Sequence, residues 1–241
     1  MENPPVDQLA APAPQDPIPD PIELFLNNNV YSLTYWANMF IVKVIKKDPL
    51  AWATAEFAGD YQQMQVAAQA IKNLAKYNSS YAGAVYTAAK NADPSWDGNA
   101  ADSAKQYFDD LNDAIRNQVG PLKDIAQDID TFALSSYYVA QGVSFLIQGI
   151  IDTAIIAIIK EAAAAAAAST GVGAGAAAAL QASVVADMMR MIALWNQVLT
   201  KYATFATAGE VAIAGILNGV ASVRSKEFPP LSVGTYDHPG A

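Results

Sequence analysis

The sequence predicts an all-α protein, an elongated antiparallel helical hairpin or bundle of about four long helices. Three observations carry that expectation. Apolar residues recur at alternating steps of four and three, the period of a coiled-coil seam, and no strand alternation competes with it. The dipeptides Asp20-Pro21 and Asp48-Pro49 are helix starts, with Asp as the cap and Pro as the first helical residue. A single tight turn, Asp93-Pro94-Ser95-Trp96-Asp97-Gly98, stands between the two best-patterned stretches. Pro94 cannot continue the incoming helix, and Gly98 tolerates backbone angles that a side chain forbids. Trp96 then lies at the tip of a hairpin, and Asp97 or Asn99 can cap the helix that follows.

The elements follow in order. Residues 1–19 are rich in proline and carry no hydrophobic period, which reads as a disordered or extended arm. A first helix of roughly 22–47 presents Ile22, Phe25, Leu33, Trp36, Phe40 and Val44, weakened by Asn27-Asn28-Asn29. A second, from Asp48-Pro49 to about Ala92, has the stripe Phe57, Tyr61, Met64, Ala68, Ile71, Ala75, Asn78, Ala82, Val85 and Ala89. After Gly98 the seam runs from Ala104 through Phe108, Leu111, Ile115, Gln118, Leu122, Ile125, Ile129, Phe132, Ser136, Val139, Val143 and Leu146 to Ile150. Twelve of those fourteen positions are apolar. The phase passes through Gly120-Pro121 unbroken, which predicts a kinked but continuous helix to about residue 165. Thr170-Gly171-Val172-Gly173-Ala174-Gly175 predicts the bend into a last helix, about 176–225. Its stripe is Leu180, Val184, Met188, Met191, Trp195, Val198, Tyr202, Phe205, Ile213, Ile216, Val220 and Val223. From Phe228-Pro229-Pro230 onward the chain reads as an unstructured tail.

Composition narrows the function. Hydrophobic residues make up 53% of the chain, with abundant Ala and scarce Leu, so helices can approach closely over a thin core. The net charge of −9 and the scattered basic residues argue against nucleic acid as a partner. The densest basic group is Lys43, Lys46 and Lys47. Cys is absent, which removes disulfides, thiolate metal sites and a cysteine nucleophile. The acidic, proline-rich start lacks the basic region and apolar run of a cleavable signal peptide.

No catalytic constellation stands out, and no cofactor or metal is expected. The single histidine, His238, falls in the tail between Asp237 and Pro239. Gly171, Gly173 and Gly175 mimic a phosphate loop, but no strand precedes them and no basic residue follows. Asp109, Asp110, Asp113, Asp124, Asp128 and Asp130 read as solvated helix faces. Residues 139–159 span 21 positions with Asp152 as the only formal charge, long enough to cross a bilayer. A helix covered within a bundle is the competing reading.

Trp96-Asp97-Gly98 between two long amphipathic helices resembles the WXG family, the substrates of type VII secretion in actinobacteria and their relatives. The resemblance covers roughly residues 50–130, with Pro94 just before the Trp and small residues, Asn99 to Ala104, opening the second helix. It implies that Trp96 and Gly98 form the hairpin turn and part of an export signal. The seam Phe108, Leu111, Ile115, Leu122, Ile125 and Ile129 would then associate with a helical partner or a second copy. It further implies a non-enzymatic protein handled by a type VII secretion ATPase and found outside the cell or at its surface. The family's Tyr-X-X-X-Asp/Glu signal has no match among the eleven tyrosines, so either a partner supplies it or this chain is not itself the recognised subunit. The chain is similar to the longer variants, divided into the arm 1–19, a hairpin region 20–134, an Ala-rich apolar region 135–227 and the tail 228–241. The alternative expectation is a membrane-inserting or pore-forming helical protein that uses residues 139–168.

Overall fold

Asp48 shows how the helices of this chain begin. Its carboxylate accepts hydrogen bonds from the amides of Leu50 at 3.0 Å and Ala51 at 3.1 Å. Pro49, which has no amide to satisfy, takes the first helical position. The computed structural model describes residues 4–13, 33–57, 59, 61–92, 97–170 and 173–230. A short 3-10 turn, Pro5–Gln8, precedes α1 (Leu33–Ile45), α2 (Pro49–Glu56), α3 (Tyr61–Ala92), α4 (Asn99–Ala168) and α5 (Ala174–Arg224). Of the described residues 89% are helical and none is in a strand, so the chain is an all-α helical bundle. The Asp20-Pro21 start, the first turns of the expected first helix and the tail beyond residue 230 lie outside the described residues.

Two boundaries follow the expectation closely. α4 runs through Gly120-Pro121 without interruption. It closes at Ala168, and Gly173 begins α5 by accepting from the amide of Ala177 at 2.9 Å. A side chain at Gly173 would collide with the carbonyl of Ala167. One boundary does not follow. The expected single helix from 49 to 92 is two helices, because Phe57 leaves helical geometry (φ −106°, ψ 14°) while its amide still reaches the carbonyl of Ala53. Phe57 and Tyr61 both stay buried, so the apolar period continues where the backbone does not.

The residues divide into two compact units. The first gathers the described parts of Met1–Gln15, Gln63–Thr131 and Val211–Ala241. Within it, Lys72 pairs with Asp130, Asn78 donates to Gln118 at 3.1 Å, and Asn112 donates to the carbonyl of Ala82. Numbers climb along α3 as they fall along α4, so the two helices form an antiparallel hairpin. The end of α5 runs antiparallel to α4 in the same way. Gly215 faces Asp128, Gly219 faces Ile125, and Gln118 donates to the carbonyl of Lys226 at 3.5 Å. The proline-rich start is tied down too, since Asn73 donates to the carbonyl of Ala10 at 2.9 Å.

The second unit gathers the described parts of Asp16–Gln62 and Phe132–Glu210. Its core joins Ala37 and Ile41 of α1, Ala53 of α2, Phe57, Val143, Ile147 and Ile150 of α4, and Met191, Trp195 and Val198 of α5. Trp52 packs edge-on against Trp195 at 5.1 Å and Tyr202 at 5.2 Å, and Phe205 stacks on Phe132 at 5.5 Å. The Tyr202 hydroxyl donates to the Glu56 carboxylate. That bond, then burial, then the carboxylate charge hold the phenol above its ordinary pKa. Trp36, expected on the inward stripe of the first helix, is 61% exposed. Phe40 and Val44 of that stripe do pack half-buried against the core, while the fully buried positions of α1 are Ala37 and Ile41, each one residue on from an expected position.

The last helix carries a parallel correction. Ile213 and Val220, expected inside, are exposed, and Ala212, Ile216, Gly219 and Val223 are the better covered positions of that stretch. Ile216 and Val223 keep the expected phase, while at the other two positions the cover falls on the small neighbours Ala212 and Gly219. A Cβ at Gly219 would fall on Cγ1 of Ile125, whereas one at Gly215 meets only the carboxylate of Asp128. Gly219→Ala is therefore expected to lose about 1–3 kcal/mol of stability through overpacking. Gly215→Ala should be close to neutral, and chemical denaturation of the two variants side by side checks the difference.

Candidate functional site

The turn that the sequence singles out lies in the first unit, between Ala92 and Asn99. Residues 93–96, Trp96 among them, lie outside the described residues. Gly98 is described, at φ +96°, and among the described residues it is the one glycine with a positive φ. Such a backbone is strained for any residue with a Cβ. The carbonyl of Gly98 accepts from the amide of Asp102 at 3.1 Å, which makes Gly98 the last residue before α4 and aims the new helix back along α3. Ser103 donates to the carbonyl of Asn99 at 2.8 Å in the first turn.

Next to the turn the hairpin stays open. Tyr86, Ala89 and Lys90 of α3 and Ala101, Ala104 and Phe108 of α4 line a groove of about 230 Å³, with Lys105 and Asp109 also on its wall. Alanine at the inward positions leaves this layer thin, and Tyr86 is exposed beside it.

Further from the turn the seam closes. Ile115, Leu122 and Ile125 are buried, and Phe108, Leu111 and Ile129 are half-buried. These residues pack within the first unit. The polar positions of the two stripes, Asn78 and Gln118, face one another and are hydrogen-bonded. Sequence reasoning passed over Asn112, which is buried, donates to the carbonyl of Ala82 and accepts from Arg116 at 2.8 Å. It also passed over Ala126, which is buried beside Ile125. Neither stands out by hydrophobicity, and only helical phase marks them as inward.

The 139–159 stretch lies in the second unit. Val143, Ile147, Ile150, Ala154 and Ala157 bury one face of it, while Phe145, Ile156 and Ile159 are exposed on another. α4 and α5 each contain an apolar window long enough to cross a membrane, with 39% and 17% of those windows buried. Among the described residues no three His, Cys, Asp or Glu side chains are grouped to hold a metal ion. His238 lies outside the described residues. Comparison of the chain with protein-family models, with curated proteins and with solved structures finds no match.

Gly98 offers a clean test of the turn. A Cβ there meets nothing within 4 Å, so Gly98→Ala changes the backbone requirement alone. A loss of about 1–2 kcal/mol is expected from the positive φ. Gly83, helical and equally open, is the control, and Gly83→Ala should gain up to about 1 kcal/mol. Denaturation midpoints moving in opposite directions would bear this out.

Proposed function

We propose that this chain is a non-enzymatic helical protein of the WXG type, exported by a type VII secretion system or forming part of one. The single observation that supports the reading best is the positive φ of Gly98 at the turn of an antiparallel hairpin, two residues after Trp96. A turn whose backbone only glycine adopts without strain fixes the course of the chain at Gly98, beside the Trp-X-Gly motif on which the recognition reading rests. The groove of Tyr86, Ala89, Ala104 and Phe108 next to the turn supplies apolar surface for a partner helix laid across the hairpin end. The inner seam, Ile115 to Ile125, already packs within its own unit, so association with a helical partner or a second copy uses the outer surfaces. In this reading the partner also brings the tyrosine-acid signal that the chain lacks, the secretion ATPase engages the pair, and the product acts outside the cell or at its surface.

Trp96→Ala tests the proposal directly. Expressed in a host with an active type VII system, the variant should accumulate inside the cell at the parent's level while its exported fraction falls to background. Equal export of parent and variant would contradict the reading. Unequal intracellular levels would show a folding defect instead, and Trp96→Phe, which keeps an aromatic ring, would then separate the two.

A further inference from the structure

Within the second unit, α5 carries two apolar rows on adjacent faces. The inner row, Val184, Met188, Met191, Trp195 and Val198, is buried or half-buried in that unit. The outer row lies one residue on and faces solvent. Its members are Ala178, Val185, Ile192 and Leu199, with Ala182, Met189 and Asn196 between them, and every one is exposed. Val185 is 58% exposed and Met189 63%. The steps are four and three in strict alternation over three heptads, about 32 Å of helix. Other exposed apolar residues of the unit do not keep that alternation. On α4, Leu134, Tyr138, Phe145, Ile156 and Ile159 are spaced by four, seven, eleven and three. On α1, Trp36, Met39 and Val42 are spaced by three and three.

We propose that the outer row of α5 is the contact between two copies of this chain, paired parallel and in register. Its period selects a helix as the occupant, because alternating steps of four and three keep a row turned toward a second helix, and a lipid surface has no use for them. On the exposed flank Ala179, Ala186, Ala193 and Thr200 are small, so a second backbone can come close. Between Ala178 and Leu199 the one basic residue is Arg190, whereas a helix lying on a membrane relies on several. The polar member of the row selects the second copy. Asn196 takes position a of the heptad, where a single Asn in an apolar seam fixes register and oligomer state. Parallel pairing in register sets Asn196 opposite the second copy's Asn196, amide to amide. A shift by one heptad sets it against Met189 and leaves its hydrogen bonds unmade. Charge permits the contact, since no charged residue stands on the row or on that flank, and two chains of net charge −9 meet there without like charges face to face. The pairing gives a surface to the self-association in the functional reading, but it rests on α5 alone and stands apart from export.

Sedimentation equilibrium of the purified full chain tests it, with no secretion system present. The parent is expected at twice the chain mass. Ile192→Glu and Leu199→Glu should each weaken association by at least about 100-fold. Both side chains are exposed on the single chain, so helical circular dichroism should stay at the parent's level in both variants. The chain has no cysteine, so Val185→Cys, Leu199→Cys and Gln197→Cys each add a single thiol. Mild oxidation should link the first two into covalent dimers and leave Gln197→Cys, on the polar side of α5, as single chains. A parent at single-chain mass up to about 100 μM would overturn the proposal and leave the row to a different protein or to a membrane. A dimer that both Glu variants leave intact would overturn it as well. So would a dimer in which Val185→Cys forms no cross-link, the result that antiparallel pairing gives.

Discussion

Close helix approach through alanine and glycine is the constraint on which the rest of the structure depends. Ala68, Ala75 and Ala82 recur every seven residues along α3 and are fully buried. Ala126 on α4 serves the same unit. In the second unit Ala133, Ala140 and Ala154 hold the same seven-residue spacing on α4, with Ile147 taking the intervening position. A methyl group in the seam brings two backbones near enough for dispersion contacts along both helices, while each layer removes little apolar area from water. Along these alanine layers stability then accumulates over many small contacts. A branched side chain inserted at such a position must push the helices apart.

Against that thin background the few large or polar contacts set register. In the first unit the Asn78–Gln118 bond and the Asn112 bond to Ala82 fix α3 against α4, and the ion pair of Lys72 with Asp130 extends the same alignment. In the second, the ring cluster of Trp52, Phe57, Trp195, Tyr202 and Phe205 ties the short α2 to α5. Phe57, the residue at which α2 ends, is itself a member of that cluster. The Gly98 turn belongs to the same economy, because a hairpin with small residues at its end needs a backbone device, here a positive φ, to reverse direction tightly.

Much of this was legible in the residues, and the failures share one cause. Caps and turns have sharp chemical signatures, so Asp48-Pro49, the turn at Gly98 and the bend before Ala174 could be read directly. Every position of the seam from Ala104 to Ile150 is buried or half-buried, because its apolar members are large enough to reveal their period. Where small residues carry the contact the signal vanishes. Trp36, Ile213 and Val220 outweighed Ala37, Ala212 and Gly219 on size and were placed inside, while the true inward phase belonged to their smaller neighbours. The break at Phe57 was hidden for another reason. A step of four residues to Tyr61 is the same in sequence whether or not a helix spans it. For the candidate site, Gly98 was readable from its type and position, whereas the open groove beside it depends on how little alanine fills the first layers.

Thermal unfolding of alanine-to-leucine variants reaches the central constraint most directly. Ala75→Leu and Ala140→Leu each add the same volume at a fully buried seam position, one in each unit, and Ala203→Leu adds it at an exposed position of α5. Close approach predicts that both seam variants lower the midpoint by about 2–10 °C while the exposed variant leaves it nearly unchanged. Seam variants that melt at or above the parent temperature would show that the helices are not held together by small residues, and would contradict the account.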